Sequence, residues 1–544
     1  MFIEPVFGKK FFGREQILAT LQKRVTAIKG GYRQNLALTG PMLAGKSSIL
    51  RHFLKNVTDP NIIPIYIEMV EEGFKLFCYR FMATLLYQYL KSEGCDSEGD
   101  FLELKEKCAE YIPVTVKQID RICLDVEKKK ENEAYERLLE LSSTFKYESG
   151  KNCIVILDEF HNLSNFHLKK PFQVFGKFIM VQKNTMYIVS SSQKTLLKEI
   201  LSRKLSLLFG NFEVIEVDGF DNQTARSFIA ETADDLPVAE EIKSYIIQIT
   251  QGNPFYIEMI LKKYSETLNK KSHLGGQKEC LLSSLADLLY DSGGILYQYF
   301  TNHINFFLEK KTRRRFLPIL VSLAKGHRKI KDIQKNIGKV DKDLGSKLEK
   351  LRQMDLIYKS GVFYRIQDKF FEFWLKNVHS IKMDSVIDDM DIKYLEFKNA
   401  VESDFNEYSE FISKDVTDIV CALFSAFNKE KVNINMNERK LPGFDRVECR
   451  NLPGNIVEIE GHLSNNVWLC HIKTDDIMEE QDISHLMDLK TGYDEKKIIR
   501  KIVIPLKGVE RNAFLMAKEH GIWVWDISQL NKILLLFGKY ELVL

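Results

Sequence analysis

The octapeptide Gly40-Pro41-Met42-Leu43-Ala44-Gly45-Lys46-Ser47, which reads G-x-x-x-x-G-K-[ST], limits the fold of this chain more than any other segment. Its flanks give it a context. Asn35 to Gly40 (NLALTG) reads as a short buried strand, and Lys46 to Leu54 (KSSILRHFL) repeats apolar residues at helical spacing. A glycine-rich turn between strand and helix points backbone N–H groups inward, and the helix adds its positive N-terminal end. The expectation is a phosphate cradle formed by Gly40, Pro41, Ala44, Gly45, Lys46, Ser47 and Ser48. Lys46 is placed to reach the β- and γ-oxygens of a nucleotide, and Ser47 to ligate Mg²⁺.

Lys151 to Glu159 (KNCIVILDE) is an apolar run ending in two carboxylates, the pattern of an interior parallel strand that delivers acids to the carboxyl edge of a sheet. Asp158 is then positioned to hold the Mg²⁺ shell and Glu159 to polarise an attacking water. Acids at a strand end often cap the next helix instead, so the signal gains its weight from following a phosphate loop. Together the two segments imply ATP or GTP hydrolysis.

At 544 residues the chain is expected to hold about two to four domains. A net charge of +3 is too small to argue for a polyanionic partner, so any such case rests on local clustering. Met1 to Lys10 has no apolar core segment, and the apolar stretch Phe74 to Leu90 is interrupted by Lys75, Arg80 and Gln88. No membrane association and a cytoplasmic location are therefore expected. The nine cysteines form no C-x-x-C pair, which fits a reducing compartment and argues against structural zinc.

Strand and helix patterns alternate from Phe12 to Phe220, with strands over Leu36–Thr39, Ile62–Met69, Ile154–Leu157, Met186–Ser190 and Glu213–Val217. Alternation of this kind predicts an α/β fold with a parallel sheet covered by helices over residues 1–220, interrupted by a helical insertion from Gly73 to Tyr147. Residues 221–300 read as a helical lid, broken at Gln251-Gly252-Asn253-Pro254. Three helices and a strand pair joined at Ser360-Gly361 give residues 301–380 the layout of a winged helix, ended by a linker near Val378 to Asp391. A second α/β domain spans residues 392–544, with a long first helix and strands over Val457–Glu460, Val467–Ile472, Ile498–Pro505 and Ile522–Asp526.

Phe12-Gly13-Arg14-Glu15, the phosphate loop, Leu157-Asp158-Glu159-Phe160, Ser190-Ser191-Ser192, Gly252-Asn253-Pro254-Phe255 and the segment Tyr364 to Trp374 follow one another in an order that resembles the archaeal-type ATPase family. That family belongs to the AAA+/STAND branch of P-loop ATPases, and the resemblance extends over roughly the first 380 residues. It implies ATP and Mg²⁺ as cofactors, a γ-phosphate sensor at Ser191 or Ser192, and Pro254 against the adenine. One departure stands out. Where the family commonly carries an arginine, this chain has Asn211, with nearby Arg203 the candidate to stand in. Loss of such an arginine removes ~10³-fold or more in rate, so a slow, nucleotide-holding switch is expected.

The winged-helix region is basic: Lys310, Lys311, Arg313, Arg314 and Arg315 open it, and Lys325, Arg328, Lys329, Lys331, Lys335 and Lys339 continue it. Such a cluster predicts DNA as a partner. The C-terminal domain resembles the PD-(D/E)XK nuclease-like modules that follow this ATPase in its relatives, which gives a restriction-endonuclease-like α/β fold. By that resemblance Glu460 is the first metal-holding acid and Lys473 the catalytic lysine, with Glu402 a helper; His471 occupies the place of the second acid. Imidazole is a poor ligand for Mg²⁺, so a degenerate, binding version of the module is expected. The leading expectation is an ATP-driven switch acting on DNA. An ATP-gated nuclease and a protein-binding ATPase without DNA are the alternatives, and an oligomer is left open.

Overall fold

The computed structural model describes residues 4–70, 73–96, 98–205, 212–233, 236–270, 276–338, 342–384, 389–434, 437–491 and 496–542. The chain divides into two compact units. The first comprises Met1–Thr224 together with Asn253–Phe255 and Gln353–Asp355; the second comprises Ala225–Gly252, Tyr256–Arg352 and Leu356–Leu544.

Unit 1 is built on five parallel strands, β1 (Asn35–Thr39), β2 (Ile62–Glu68), β3 (Asn152–Asp158), β4 (Thr185–Ser191) and β5 (Phe212–Glu216), in the order β2-β3-β4-β1-β5. Every residue of β1 and β4 is buried, as expected for strands covered on both faces. The pleat sends alternate side chains to opposite layers. Leu36, Leu38, Ile154, Ile156 and Ile188 pack with helices Glu15–Lys29 and Lys46–Lys55, whereas Ala37, Val155, Leu157, Tyr187 and Val189 face the other way. That second layer is the insertion. Its helix Phe74–Ser92 buries Phe74, Phe77, Cys78, Phe81, Met82, Leu85 and Leu86 at helical spacing and leaves Lys75 and Arg80 outside. Helices Phe101–Ala109, Pro113–Glu127 and Glu131–Ser149 complete the layer, the first opened by a capping box between Asp100 and Glu103.

Register then aligns the carboxyl ends. Thr39 lies opposite Ser191, and Glu68 opposite Asp158. Because β4 lies between β1 and β3, its last serines come between the phosphate loop and the acids.

In unit 2, helices Lys310–Ala324, Ile330–Ile337 and Leu344–Gln353 precede an antiparallel hairpin of β6 (Ile357–Ser360) and β7 (Phe363–Ile366). The hairpin docks on a second one, β8 (Lys431–Ile434) and β9 (Asn437–Lys440). The Val362 amide donates to the Lys431 carbonyl at 3.0 Å, and the Asn433 amide to Ser360 Oγ at 3.1 Å. Gly361 makes the turn at φ 59°, and a Cβ there would lie 1.8 Å from the Lys431 carbonyl oxygen. Phe363 enters the C-terminal core beside Phe537, centroids 5.3 Å apart.

The C-terminal sheet runs β10 (Arg446–Leu452), β11 (Ile456–His462), β12 (Asn466–Lys473), β13 (Lys497–Pro505) and β14 (Trp523–Val524) in sequence order, antiparallel through β12 and parallel beyond it. Trp468, Cys470 and Ile472 face one core, and Leu469 faces another with Met478, Ile483 and Leu486. Strand β10 escapes the sequence reading because Arg446, Glu448 and Arg450 interrupt any apolar pattern. Helix Leu375–His379, continued by Ser380–Asp384, covers the first half of the span read as a linker, and Val378 is fully buried. Among the described residues no helix is long and apolar enough to cross a membrane.

The insertion layer is expected to be structural. Phe145 is fully buried, edge-on to Tyr89 at 5.5 Å. Phe145→Ala should lower stability by about 3–5 kcal/mol through transfer and cavity terms, read from the first transition in urea; an unshifted transition would mean that this layer contributes nothing to unit 1.

Candidate functional site

The phosphate loop begins where β1 ends. Gly40 is required by space, since a Cβ there would lie 2.0 Å from the Val217 carbonyl oxygen, held close because the Val217 amide donates to the Thr39 carbonyl at 2.7 Å. Leu43 and Gly45 both adopt left-handed backbone, φ 63° and 95°, which curls the loop before helix Lys46–Lys55 starts. Lys46 is buried, and its Nζ donates to the carbonyls of Gly40 at 2.9 Å and Pro41 at 2.8 Å. Burial lowers its pKa, while Glu159 and Asp158 pull it back up. Ser48 Oγ accepts from the Val6 amide at 3.0 Å. Arg14 braces the loop from outside, donating to the carbonyls of Ala44 and Asp218 and lying 4.6 Å from the centroid of Phe220.

The acids sit at the same sheet edge. Asp158 is fully buried; Tyr66 Oη donates to its Oδ2 at 2.6 Å, and its Oδ1 accepts from Ser190 Oγ and from the Glu159 amide. Burial pushes the Tyr66 phenol up, and Asp158 pushes it further. Glu68, paired in register with Asp158, has its carboxyl raised by burial and then by that neighbour.

Glu159 turns out of the strand with φ 52°, and its Oε2 accepts from the Ser192 amide at 2.8 Å and Ser192 Oγ at 2.9 Å. The same oxygen is 3.3 Å from His161 Nδ1, which shares a 2.9 Å hydrogen bond with Ser191 Oγ. Burial lowers the His161 pKa against the opposing pull of Glu159. Lys46, Asp158, Glu159 and Ser191 therefore stand at one sheet edge, and the electrostatic influence of both acids reaches Lys46. Asn253–Phe255 belong to this unit too; Pro254 opens helix Pro254–Lys270, and Asn253 Oδ1 accepts from the Phe255 amide at 3.0 Å. Asn211 lies outside the described residues, and Arg203 is exposed in helix Ile200–Lys204.

Tyr66 and His161 escaped the sequence reading at this edge, and Ser190 was named there only as part of a serine run. Tyr66 and Ser190 are ordinary members of buried strands whose contact with Asp158 depends on register, and His161 had only its place two residues after Glu159 as a signal.

Residues 11–260 match the model of an ATPase domain found predominantly in Archaea. Over these residues the chain is similar to that ATPase domain. ATP hydrolysis is the activity of such a domain. No curated protein matches the chain significantly. Among solved structures, a Walker-type ATPase of Pyrococcus abyssi is similar at 18% identity and TM-score 0.48, over 68% of this chain and 97% of that one. The ORC2 protein of Aeropyrum pernix, in ADPNP–ADP complexes, is similar at 11% identity and TM-score 0.42, over 70% and 98%. The Holliday junction branch migration motor RuvB of Thermotoga maritima follows at 14% and 0.33, over 69% and 98%.

In unit 2, apart from the ATPase domain's sheet, Glu458, Glu460 and His462 of β11 share a face with His471 and Lys473 of β12, all buried. Glu458 lies directly opposite His471 and takes its Nε2 at 2.9 Å, whereas Glu460 lies 3.2 Å from His462 Nε2. Lys473 donates to Asp482 at 2.7 Å. The carboxylate facing His471 is thus Glu458, one pleat repeat from Glu460. Glu402 does not join them: it is exposed on helix Met390–Ser413 and accepts from Lys278 at 2.9 Å. Among the described residues no group of three or more His, Cys, Asp or Glu has the arrangement of a metal site.

His161 sets a pH dependence. Its imidazole takes a proton near pH 6.5 in the unfolded chain but only at lower pH when folded, so its contribution to stability is complete above about pH 6.5 and declines as pH falls toward the folded value. His161→Gln should flatten that decline, measured as denaturation midpoints at about pH 7 and about pH 5.5; an undiminished slope in the variant would assign it to other groups.

Proposed function

We propose that this ATPase domain binds Mg²⁺–ATP through the loop Gly40–Ser48 and hydrolyses it with Lys46, Asp158 and Glu159 in distinct roles. The observation that carries the reading is the buried Lys46 ammonium, held on two loop carbonyls beside two acids at one sheet edge. Those carbonyls are weaker partners than phosphate oxygens, so nucleotide takes the lysine over without moving the loop. The donor set suits a hard cation: Asp158 offers a buried carboxylate and Ser47 a hydroxyl at the first turn of the helix, both oxygen ligands of the kind Mg²⁺ takes. Thr39 Oγ1, at the base of the loop, is buried without a hydrogen-bond partner among the described residues, a further oxygen awaiting a donor or a water. When bound, Mg²⁺ neutralises charge on the β- and γ-oxygens. Glu159 orients the attacking water, Ser191 meets the γ-phosphate, Pro254 packs on the adenine, and the absence of an arginine at Asn211 keeps turnover slow.

Nucleotide state in turn governs DNA binding by the winged helix of unit 2. Lys310, Lys311, Arg314 and Arg315 are exposed on the first two turns of helix Lys310–Ala324, which supports a phosphate-contacting role. Other members of the basic set are already engaged: Lys325 with Asp384 at 2.6 Å, Lys329 with Glu430 at 2.8 Å, and Arg313 with Asn305. Lys339 lies outside the described residues. The nuclease-like domain binds without cutting. Its lysine is paired with Asp482 and its histidine is hydrogen-bonded to Glu458, which leaves no free carboxylate pair across β11 and β12 among the described residues to gather Mg²⁺.

Two measurements test this. Lys46→Ala should weaken ATP binding and abolish hydrolysis, whereas Glu159→Gln should retain binding and lose turnover by about 10²-fold or more; equal rates in wild type and Glu159→Gln would remove Glu159 from catalysis. Changing Lys311, Arg314 and Arg315 together to Ala should reduce the slope of log K against log salt for duplex DNA by about 0.9 per lost contact. An unchanged slope would assign these residues to solvent.

A further inference from the structure

The segment that follows β4 is tied at three points within five residues. Ser191 Oγ bonds His161, the Ser192 amide and hydroxyl hold Glu159, and the Thr195 amide donates to Asp355 Oδ2 at 2.9 Å while Thr195 Oγ1 donates to Asp355 Oδ1. Ser191 Oγ also accepts from the Gln193 amide at 3.0 Å, which stiffens the segment between its ties. Five residues joined by such bonds transmit a displacement at one end to the other, because no slack backbone lies between them.

Asp355 is remote in sequence. It belongs to the three-residue segment Gln353–Asp355 of unit 1, yet it is covalently flanked by Arg352-side helix and Leu356-side strand residues of unit 2. Its backbone is left-handed, φ 55°, a conformation glycine adopts at lower cost. Both carboxylate oxygens accept from Thr195, at the start of helix Lys194–Glu199. At the far end Glu159 gives a single oxygen, Oε2, to both donors of Ser192 and stands close to His161 as well. A carboxylate oxygen accepting two hydrogen bonds is less free to turn toward a water than an unrestrained one.

We propose that Asp355 is a positioning residue that restrains hydrolysis: by anchoring Thr195 it holds the segment Ser191–Thr195 in the arrangement that keeps Glu159 on Ser192. Loss of that anchor would release Glu159 from Ser192. The proposal rests on the reading of Glu159 as the residue that orients the water.

Steady-state ATP hydrolysis and nucleotide binding by the full chain test it, with wild type, Asp355→Gly, Thr195→Val, the double variant and Glu159→Gln. Glycine suits φ 55°, so Asp355→Gly removes the carboxylate without straining the backbone. The expected result is a kcat raised about five-fold or more in Asp355→Gly, which removes both bonds, and by less in Thr195→Val, which keeps the bond from the Thr195 amide, with KM for ATP unchanged. The double variant should show no rise beyond that of Asp355→Gly, because the hydroxyl bond lost in Thr195→Val is one of the two that Asp355→Gly already removes. A wild-type kcat in both single variants, a lowered kcat, or effects that multiply in the double variant would each overturn the proposal while leaving the Glu159 reading intact. Equal rates in wild type and Glu159→Gln would overturn both.

Discussion

Everything at the ATPase site turns on a carboxylate placed where water does not reach. Asp158 ends β3 fully buried, and a buried charge persists only with partners that replace its hydration. Tyr66 from β2 and Ser190 from β4 supply them, one from each neighbouring strand. Their positions follow from the strand order, so the site is a consequence of sheet register as much as of any motif. Lys46 experiences the same arrangement from the other side, since its burial disfavours the ammonium and the two acids favour it. The loop's lysine and the two acids thus compensate one another's burial.

The central parts of this arrangement were legible from the chain alone. The phosphate loop, the five strands of the first sheet and the acid pair all announce themselves through glycine spacing and apolar runs, and each strand was located to within two residues at either end. What escaped depends on long-range pairing. Tyr66 reads as one more apolar strand residue until β2 is set beside β3. His161 follows the acid motif as an ordinary turn residue, and Thr195 and Asp355 are separated by 160 residues of sequence.

The C-terminal sheet shows the same limit. Its strands β11 to β13 were visible as apolar runs, whereas β10 carries charges on an outer strand and gave no such signal. The nuclease-like resemblance directed attention to Glu460, but antiparallel register sets Glu458 against His471. The hairpin at Ser360-Gly361 was legible as a turn; that it docks on Lys431 and sends Phe363 into the C-terminal core was not, because those partners are distant in sequence.

A crystal structure of the full chain with Mg²⁺ and a non-hydrolysable ATP analogue tests the central claim most directly. The account predicts that Lys46 Nζ leaves the carbonyls of Gly40 and Pro41 for the β- and γ-phosphate oxygens, and that Ser47 and Asp158 lie on the metal's ligand shell. Lys46 remaining on those two carbonyls with nucleotide bound elsewhere, and Asp158 remote from the metal, would contradict it.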